Sequence, residues 1–397
     1  MKKKVLISYP EMMVGGSTTA LLAFLNCIDK EKYEIDLQLY KNRGELLPDV
    51  PEGINLLPEA FMYDGKIGTI AKFLKIILTG TVFRAYIENK KNGEKGLSKQ
   101  MLSDFQALHL SRKAKDKYDV AIGFLEGWSD RYIAYRVDAD KKIAWLHSTF
   151  ENITKTPEPE KRWMEKVDNL VFVADNCTED FKKIMPEMAD KARTIYNITD
   201  SSLIRKRAEK VPTDDPEYVK LRDTQVFKII TVCRVTMSVK GLDRAVSCAK
   251  KLKQNGKKFC WTIIGDGPDF EKVKALIEQN GLHEEMRMIG TRLNPLPFVK
   301  QADLFCMPSR YEGKPMVITE SMILGTPPFV TRYLSANEQI ENGVDGVVVD
   351  NADDTIYDAL ERYIDDTTEL QKLKENLISR EYGNPEYMRE IEKEYLS

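Results

Sequence analysis

The segment that most constrains this chain is 303–350, centred on Ser309-Arg310-Tyr311-Glu312-Gly313-Lys314-Pro315-Met316-Val317-Ile318-Thr319-Glu320. Residues 303–308 are a short apolar run stopped by Pro308, the pattern of a buried strand, and Pro315 suits the first turn of a helix reaching 323–325. Strand, turn and helix in that order specify one unit of an open α/β sheet. Glu312 lies in the turn, and Glu320 lies inside the helix, about 7.5 Å beyond Pro315 at the rise of an α-helix. Two carboxylates therefore flank a helix start.

A helix start attracts phosphate through its free amides, here those around Met316 and Val317, and through its dipole. Carboxylates on either side add nothing to phosphate binding. They suit sugar hydroxyls, because a carboxylate accepts two hydrogen bonds at the spacing of a vicinal diol. Sugar, diphosphate and ribose would then lie in line along Glu312, the helix start and Glu320. The plainer alternative is that Glu312 caps the turn and Glu320 is solvated.

Other β-rich runs end in loops with related chemistry. Run 227–232 is followed by Arg234 and Lys240, six residues apart and able to reach one diphosphate, and then by the helix 242–254. Run 259–264 leads into Gly265-Asp266-Gly267-Pro268 and the helix 269–280, and run 286–290 ends at Gly290-Thr291-Arg292. In the first half, run 4–9 precedes Gly15-Gly16 and the helix 18–28, a turn that either presents amides to an anion or is simply tight. Runs 33–40, 54–57, 118–124, 142–146, 170–174 and 192–198 continue the pattern, with His147 just past the end of 142–146. Residues 199–218, polar and carrying Pro212 and Pro216, read as the linker.

Glu312-x7-Glu320, Gly325-Thr326-Pro327, Arg234-x5-Lys240-Gly241, Trp145-x-His147 and Gly15-Gly16 together resemble glycosyltransferase family 4, retaining enzymes of the GT-B fold, over nearly the whole chain. Lys314 departs from that pattern, where an apolar residue is common. The resemblance implies an α/β protein of two Rossmann-like domains facing a deep interdomain cleft: 1–200 on the acceptor side, 201–380 binding the nucleotide sugar, and 381–397 a C-terminal helix returning to the first domain. It implies donor contacts by Gly15, Gly16, Arg234, Lys240, Gly265, Gly290, Thr291, Arg292, Glu312, Gly313, Lys314, Pro315, Met316, Val317 and Glu320. Catalytic roles fall to His147, Glu312, Arg234 and Lys240. The implied reaction moves a hexose or N-acetylhexosamine from a UDP-linked donor to a glycan or lipid-linked acceptor, with retention, no cofactor and no bound metal. A sugar-nucleotide epimerase, a glycan phosphorylase and a non-catalytic binder are the rival readings.

The 397 residues suit two or three domains, and a formal net charge of −2 gives no reason to expect a nucleic-acid partner. The 6 cysteines lack a C-x-x-C pair and read as buried free thiols, and 3 histidines leave little for a zinc site. Lys2-Lys3-Lys4 precedes an apolar run too short for a signal peptide, so a cytosolic protein is expected. From 66 to 117, 12 basic residues stand against 4 acidic ones, interleaved with apolar residues at helical spacing. That stretch reads either as ordinary surface helices or as a contact with an anionic membrane over 67–117.

Overall fold

The computed structural model describes residues 2–61, 99–154, 157 and 159–396. The chain divides into two compact units, Met1–Asn197 with Glu386–Ser397, and Ile198–Pro385. Each is built on a wholly parallel sheet.

In the first unit the strands are β1 Lys3–Tyr9, β2 Tyr33–Leu39, β3 Ile54–Leu56, β4 Lys117–Gly123, β5 Asp138–Leu146, β6 Asn169–Phe172 and β7 Ala192–Thr194, in spatial order β3-β2-β1-β4-β5-β6-β7. Val5 pairs with Ile35 on one side and Val120 on the other, and the last five residues of β1 are all buried. That is the signature of a parallel strand covered on both faces, which needs a continuous apolar run rather than alternation. One face carries Trp128, Tyr132, Trp163, Phe172 and Phe181. On the helix Gly16–Cys27, Phe24 packs edge-on to Trp145 at 5.6 Å and to Phe124 at 5.3 Å.

In the second unit β8 Phe227–Val232, β9 Phe259–Ile264, β10 Met286–Met288, β11 Leu304–Met307, β12 Pro328–Thr331 and β13 Val347–Val349 lie in the order β10-β9-β8-β11-β12-β13. Its strands alternate between two cores. Ile229, Leu304, Cys306, Phe329 and Val347 pack in one, and their neighbours Ile230, Phe305, Met307, Val330 and Val348 pack in the other. The period-2 geometry of a strand divides each apolar run between the helix layers on the two faces.

The return of the C-terminus is as expected from the sequence. Helix Tyr387–Ile391 runs into a wider π-helical turn, Glu392–Leu396, with Met388, Ile391, Tyr395 and Leu396 buried. Glu392, 6% exposed, accepts the Asp29 amide at 2.8 Å and pairs with Lys32 at 3.6 Å.

Two local expectations need correction. The polar segment 199–218 is not a bare linker. It holds helix Ser201–Ala208 and the start of Pro216–Asp223, capped by Asp200 on the Ser202 and Leu203 amides and by Asp215 on the Glu217 amide. Pro315 stands just before its helix, Met316–Ile323, rather than in the first turn. Beyond β13 the chain forms two helices, Asp353–Asp365, with Ala352 at the cap position, and Thr368–Ser379. The six cysteines are free thiols, four of them buried. Of the basic stretch 67–117, residues 67–98 lie outside the described residues. No helix among the described residues is long and apolar enough to cross a membrane.

Candidate functional site

In a doubly wound sheet the loops at the carboxyl ends of two adjacent strands diverge where the strand order reverses, leaving a crevice. That point lies between β8 and β11 in the second unit and between β1 and β4 in the first. Gly15 and Gly16 follow β1, and Arg234, Lys240 and Glu312 follow β8 and β11, at these two edges, whereas His147 follows β5, Gly265 follows β9, and Gly290, Thr291 and Arg292 follow β10.

In the second unit Arg234 and Lys240 follow β8. Arg234 is exposed, and its side chain makes no hydrogen bond or ion pair among the described residues. Lys240 ends the single turn Met237–Lys240, and its ammonium lies 2.6 Å from Glu312 Oε1, with the two side chains 19% and 9% exposed. The cation expected on phosphate and the carboxylate expected on sugar thus hold each other. Gly241 follows in the left-handed region, where a Cβ would lie 2.0 Å from the Pro308 carbonyl oxygen. Only glycine lets the β8 and β11 loops approach this closely.

The Glu312 loop is fixed from several sides. Arg310 donates to both Asp243 oxygens at 2.8 and 2.7 Å, and its amide donates to the Val239 carbonyl at 2.7 Å. Ser335 Oγ donates to the Gly313 carbonyl, and Gln339 Nε2 donates to the Pro315 carbonyl and to Thr319 Oγ1, both at 2.9 Å. Helix Met316–Ile323 starts with no side-chain cap. Among the described residues the amides of Met316 and Val317 have no partner, as in a helix start open to an anion. Four residues on, Glu320 is 8% exposed, and its side chain makes no hydrogen bond or ion pair among the described residues. Burial pushes its carboxyl up to about 7, partly offset by Arg207. Glu320 is therefore not a solvated surface group.

Gly265 has a steric role in the packing of these loops. A Cβ there would stand 1.9 Å from the Cys233 carbonyl oxygen, and one at Gly267 would stand 2.4 Å from that of Val235. Both glycines let the turn after β9 lie against the Arg234 loop. The Gly265 amide donates to the Gly290 carbonyl at 3.0 Å, which joins the β10 turn to the same stack. Arg292 is occupied, with Nε 2.5 Å from Asp215 Oδ2 and a further hydrogen bond to the Ile289 carbonyl. Thr291 is exposed, and Lys314 is partly buried beside Glu312 in sequence.

In the first unit, Gly15 and Gly16 open the first helix, and a Cβ at either would meet nothing within 4 Å. Packing does not demand glycine there. His147 follows β5, its ring 5.2 Å from that of Phe124. Burial pulls its imidazole down to about 4, against smaller opposing effects of the Glu126 carboxylate and a hydrogen bond to the Phe124 backbone. The ring is neutral at pH 7, and Nε2 is buried without a partner among the described residues. Glu126 was not among the sequence candidates. Its Oε2 accepts the His147 amide at 2.8 Å and its Oε1 accepts Ser148 Oγ at 2.7 Å. An acidic residue between the apolar end of a strand and a glycine was the available sign. Asp130, in the first turn of helix Trp128–Arg136, is fully buried with neither oxygen bonded. Burial, then the Glu126 charge, raises its carboxyl well above the usual range.

Among the described residues no group of three or more His, Cys, Asp or Glu side chains is arranged to hold a metal ion.

Residues 219–381 match the family described as glycosyl transferases group 1. The amylovoran biosynthesis glycosyltransferase AmsK of Erwinia amylovora is 25% identical over 307 residues, covering 73% of this chain and 72% of that one. The putative colanic acid biosynthesis glycosyltransferase WcaL of Escherichia coli is 33% identical over 148 residues, 35% of this chain and 36% of its own. Among solved structures, Anabaena HepE in complex with UDP-glucose aligns with a TM-score of 0.70 at 14% identity, over 99% of both chains. The glycosyltransferase WaaG aligns with a TM-score of 0.63 at 14% identity, over 98% of this chain and 99% of its own. At such identities the likeness concerns the fold, which is GT-B.

Proposed function

Residues 219–381 form a group 1 glycosyl transferase domain, and from that premise we propose that the chain is a retaining glycosyltransferase. Its donor is a UDP-linked hexose or N-acetylhexosamine, and its acceptor is a glycan or lipid-linked glycan in surface polysaccharide or glycoconjugate synthesis. The observation that carries this reading is the edge between β8 and β11. The Arg234 side chain on the loop after β8, and the uncapped helix start at Met316 with the buried Glu320 carboxyl in the helix after β11, are without partners among the described residues. Nucleotide-sugar complexes and polysaccharide pathways appear in the names of the similar proteins, which supports the donor and acceptor classes.

In this reading Arg234 and Lys240 take the diphosphate, Lys240 exchanging Glu312 for phosphate oxygens. The amides of Met316 and Val317 complete the cradle, and Glu320 holds the ribose diol. Glu312, released from Lys240, and the neutral His147 orient the donor sugar. The anomeric carbon–oxygen bond breaks toward the diphosphate, and the acceptor oxygen bonds to the same face. The acceptor proton passes to the departing phosphate oxygen, so no side chain serves as nucleophile. The charge of the leaving group rests on protein cations and amides placed before reaction, so a divalent ion is not needed. From composition alone, the basic stretch 67–117 is proposed to contact the anionic inner leaflet.

The test is incubation with a panel of sugar nucleotides, with and without a glycan-lipid acceptor fraction, followed by NMR of the anomeric configuration. Acceptor-dependent nucleotide release with retention supports the reading. Release of sugar phosphate or an epimerised donor contradicts it, as does no turnover with any donor.

A further inference from the structure

Glu126 occupies a loop whose path leaves it little freedom. It follows the end of β4, and the next residue, Gly127, has φ 101°, a conformation that disfavours side chains. A Cβ at Gly127 would lie 3.2 Å from Asp104 Oδ2. The chain therefore reverses immediately after Glu126 and begins helix Trp128–Arg136. β4 and β5 are adjacent, with Gly123 opposite Ala144 in the register, so this reversal sets Glu126 beside the two residues that leave β5. Its carboxylate then bridges them, one oxygen to the His147 amide at 2.8 Å and the other to Ser148 Oγ at 2.7 Å. A carboxylate with both oxygens engaged by consecutive residues fixes that turn more firmly than either contact alone.

The turn determines where the His147 ring lies. On one side the ring packs on Phe124, two residues before Glu126, and the Phe124 backbone favours its protonated form. A bond at one ring nitrogen sets the tautomer and so the chemistry of the other. Nε2 is the atom left buried and unpartnered. Both ring-holding contacts, Phe124 directly and Glu126 through the backbone, thus come from the end of one strand and the loop after it. The titratable groups whose charges act near this pocket are Glu126 on His147, Asp130 and Tyr9, the Tyr9 hydroxyl being bonded to Ser17 at 2.8 Å and Thr18 at 3.0 Å.

We propose that Glu126 is a positioning residue: its bridge across His147 and Ser148 holds the His147 imidazole in one orientation and one tautomer, with Nε2 left for a ligand. The part played by that ligand in sugar transfer rests on the function proposed above. The bridge itself does not.

The chain has only 3 histidines, His109, His147 and His283, so each ring is separable by ¹⁵N-histidine NMR, with assignment by His147→Ala. In the unsubstituted protein the His147 ring should show a single neutral tautomer and stay neutral from pH 8 down to about pH 5, because its titration is pulled down to about 4. In Glu126→Ala the ring should lose that single tautomer and titrate nearer the ordinary value of about 6.5, while His109 and His283 are unmoved. Glu126→Gln keeps an acceptor for the His147 amide but removes the charge that favours the protonated ring, so it should keep more of the single tautomer than Glu126→Ala and titrate no higher than the parent. A parallel assay with a productive donor and acceptor should show kcat reduced at least tenfold in Glu126→Ala and the donor KM changed less than threefold. The double variant with His147→Ala should be no slower than His147→Ala alone. An unchanged His147 tautomer and titration in folded Glu126→Ala overturns the proposal, as does full additivity of the two kcat losses. If the ring is released and transfer rates are unaffected, the bridge stands, and the role of His147 in transfer falls instead.

Discussion

Glu320 and His147 are buried titratable side chains whose shifts have opposite consequences for stability. The Glu320 carboxyl is raised to about 7, so the folded chain binds its proton more tightly than the unfolded chain does. The stability this contributes is full below about pH 4.5 and is lost as pH rises through about 7. Glu320→Gln keeps the shape without the charge, so the variant should gain thermal stability relative to the parent as pH rises from 5 to 8. The difference should be on the order of 1–3 kcal/mol. The same substitution should weaken donor binding by roughly 1.5–3 kcal/mol, the worth of a hydrogen bond to a charged group. Calorimetry that finds unchanged donor affinity removes Glu320 from the ribose. His147 is lowered to about 4, so it stays neutral where the unfolded chain would be protonated. Its contribution is present above about pH 6.5 and declines as pH falls toward 4. Denaturation at stepped pH should show this decline in the parent and a flatter profile in His147→Ala.

At the scale of elements, the loops after β8, β9 and β11 work as one packed assembly in which glycine is a steric requirement. Gly265→Ala would drive a Cβ into the Cys233 carbonyl, next to Arg234. A loss of roughly 1–3 kcal/mol from overpacking is expected, with reduced donor affinity as the Arg234 loop shifts. Gly256→Ala, where a Cβ meets nothing within 4 Å, should cost only about 1–2 kcal/mol for its left-handed backbone and leave affinity intact. Equal affinity in both variants, measured by calorimetry, would separate the glycine turn from the donor site. The strands were legible because parallel strands are continuous apolar runs, and the loop positions of Arg234, Lys240 and Glu312 were legible because these residues follow the ends of such runs. Helices Ser201–Ala208 and Pro216–Asp223 were passed over because the segment is polar, yet Asp200, and Asp215 before Pro216, are N-cap signals. The Lys240–Glu312 pair and the Glu126 bridge join residues 72 and 21 positions apart, and local spacing carries no trace of such contacts.

At the scale of the whole molecule, each unit carries candidates at the crevice where its own strand order reverses, Gly15 and Gly16 after β1 and Arg234, Lys240 and Glu312 after β8 and β11, while His147 follows β5. The charge of the departing diphosphate is assigned to the second unit alone, and that is the central claim. The most direct measurement is acceptor-dependent nucleotide release by chelator-treated protein, unsubstituted and as Arg234→Ala, with folding of the variant checked by thermal denaturation. The account predicts that the unsubstituted protein keeps most of its turnover without divalent cation. Arg234→Ala should lose about 10- to 150-fold in kcat/KM, equivalent to roughly 1.5–3 kcal/mol for one charged hydrogen-bonding group. Strict dependence on added magnesium or manganese, or an Arg234→Ala protein as active as its parent, would contradict it.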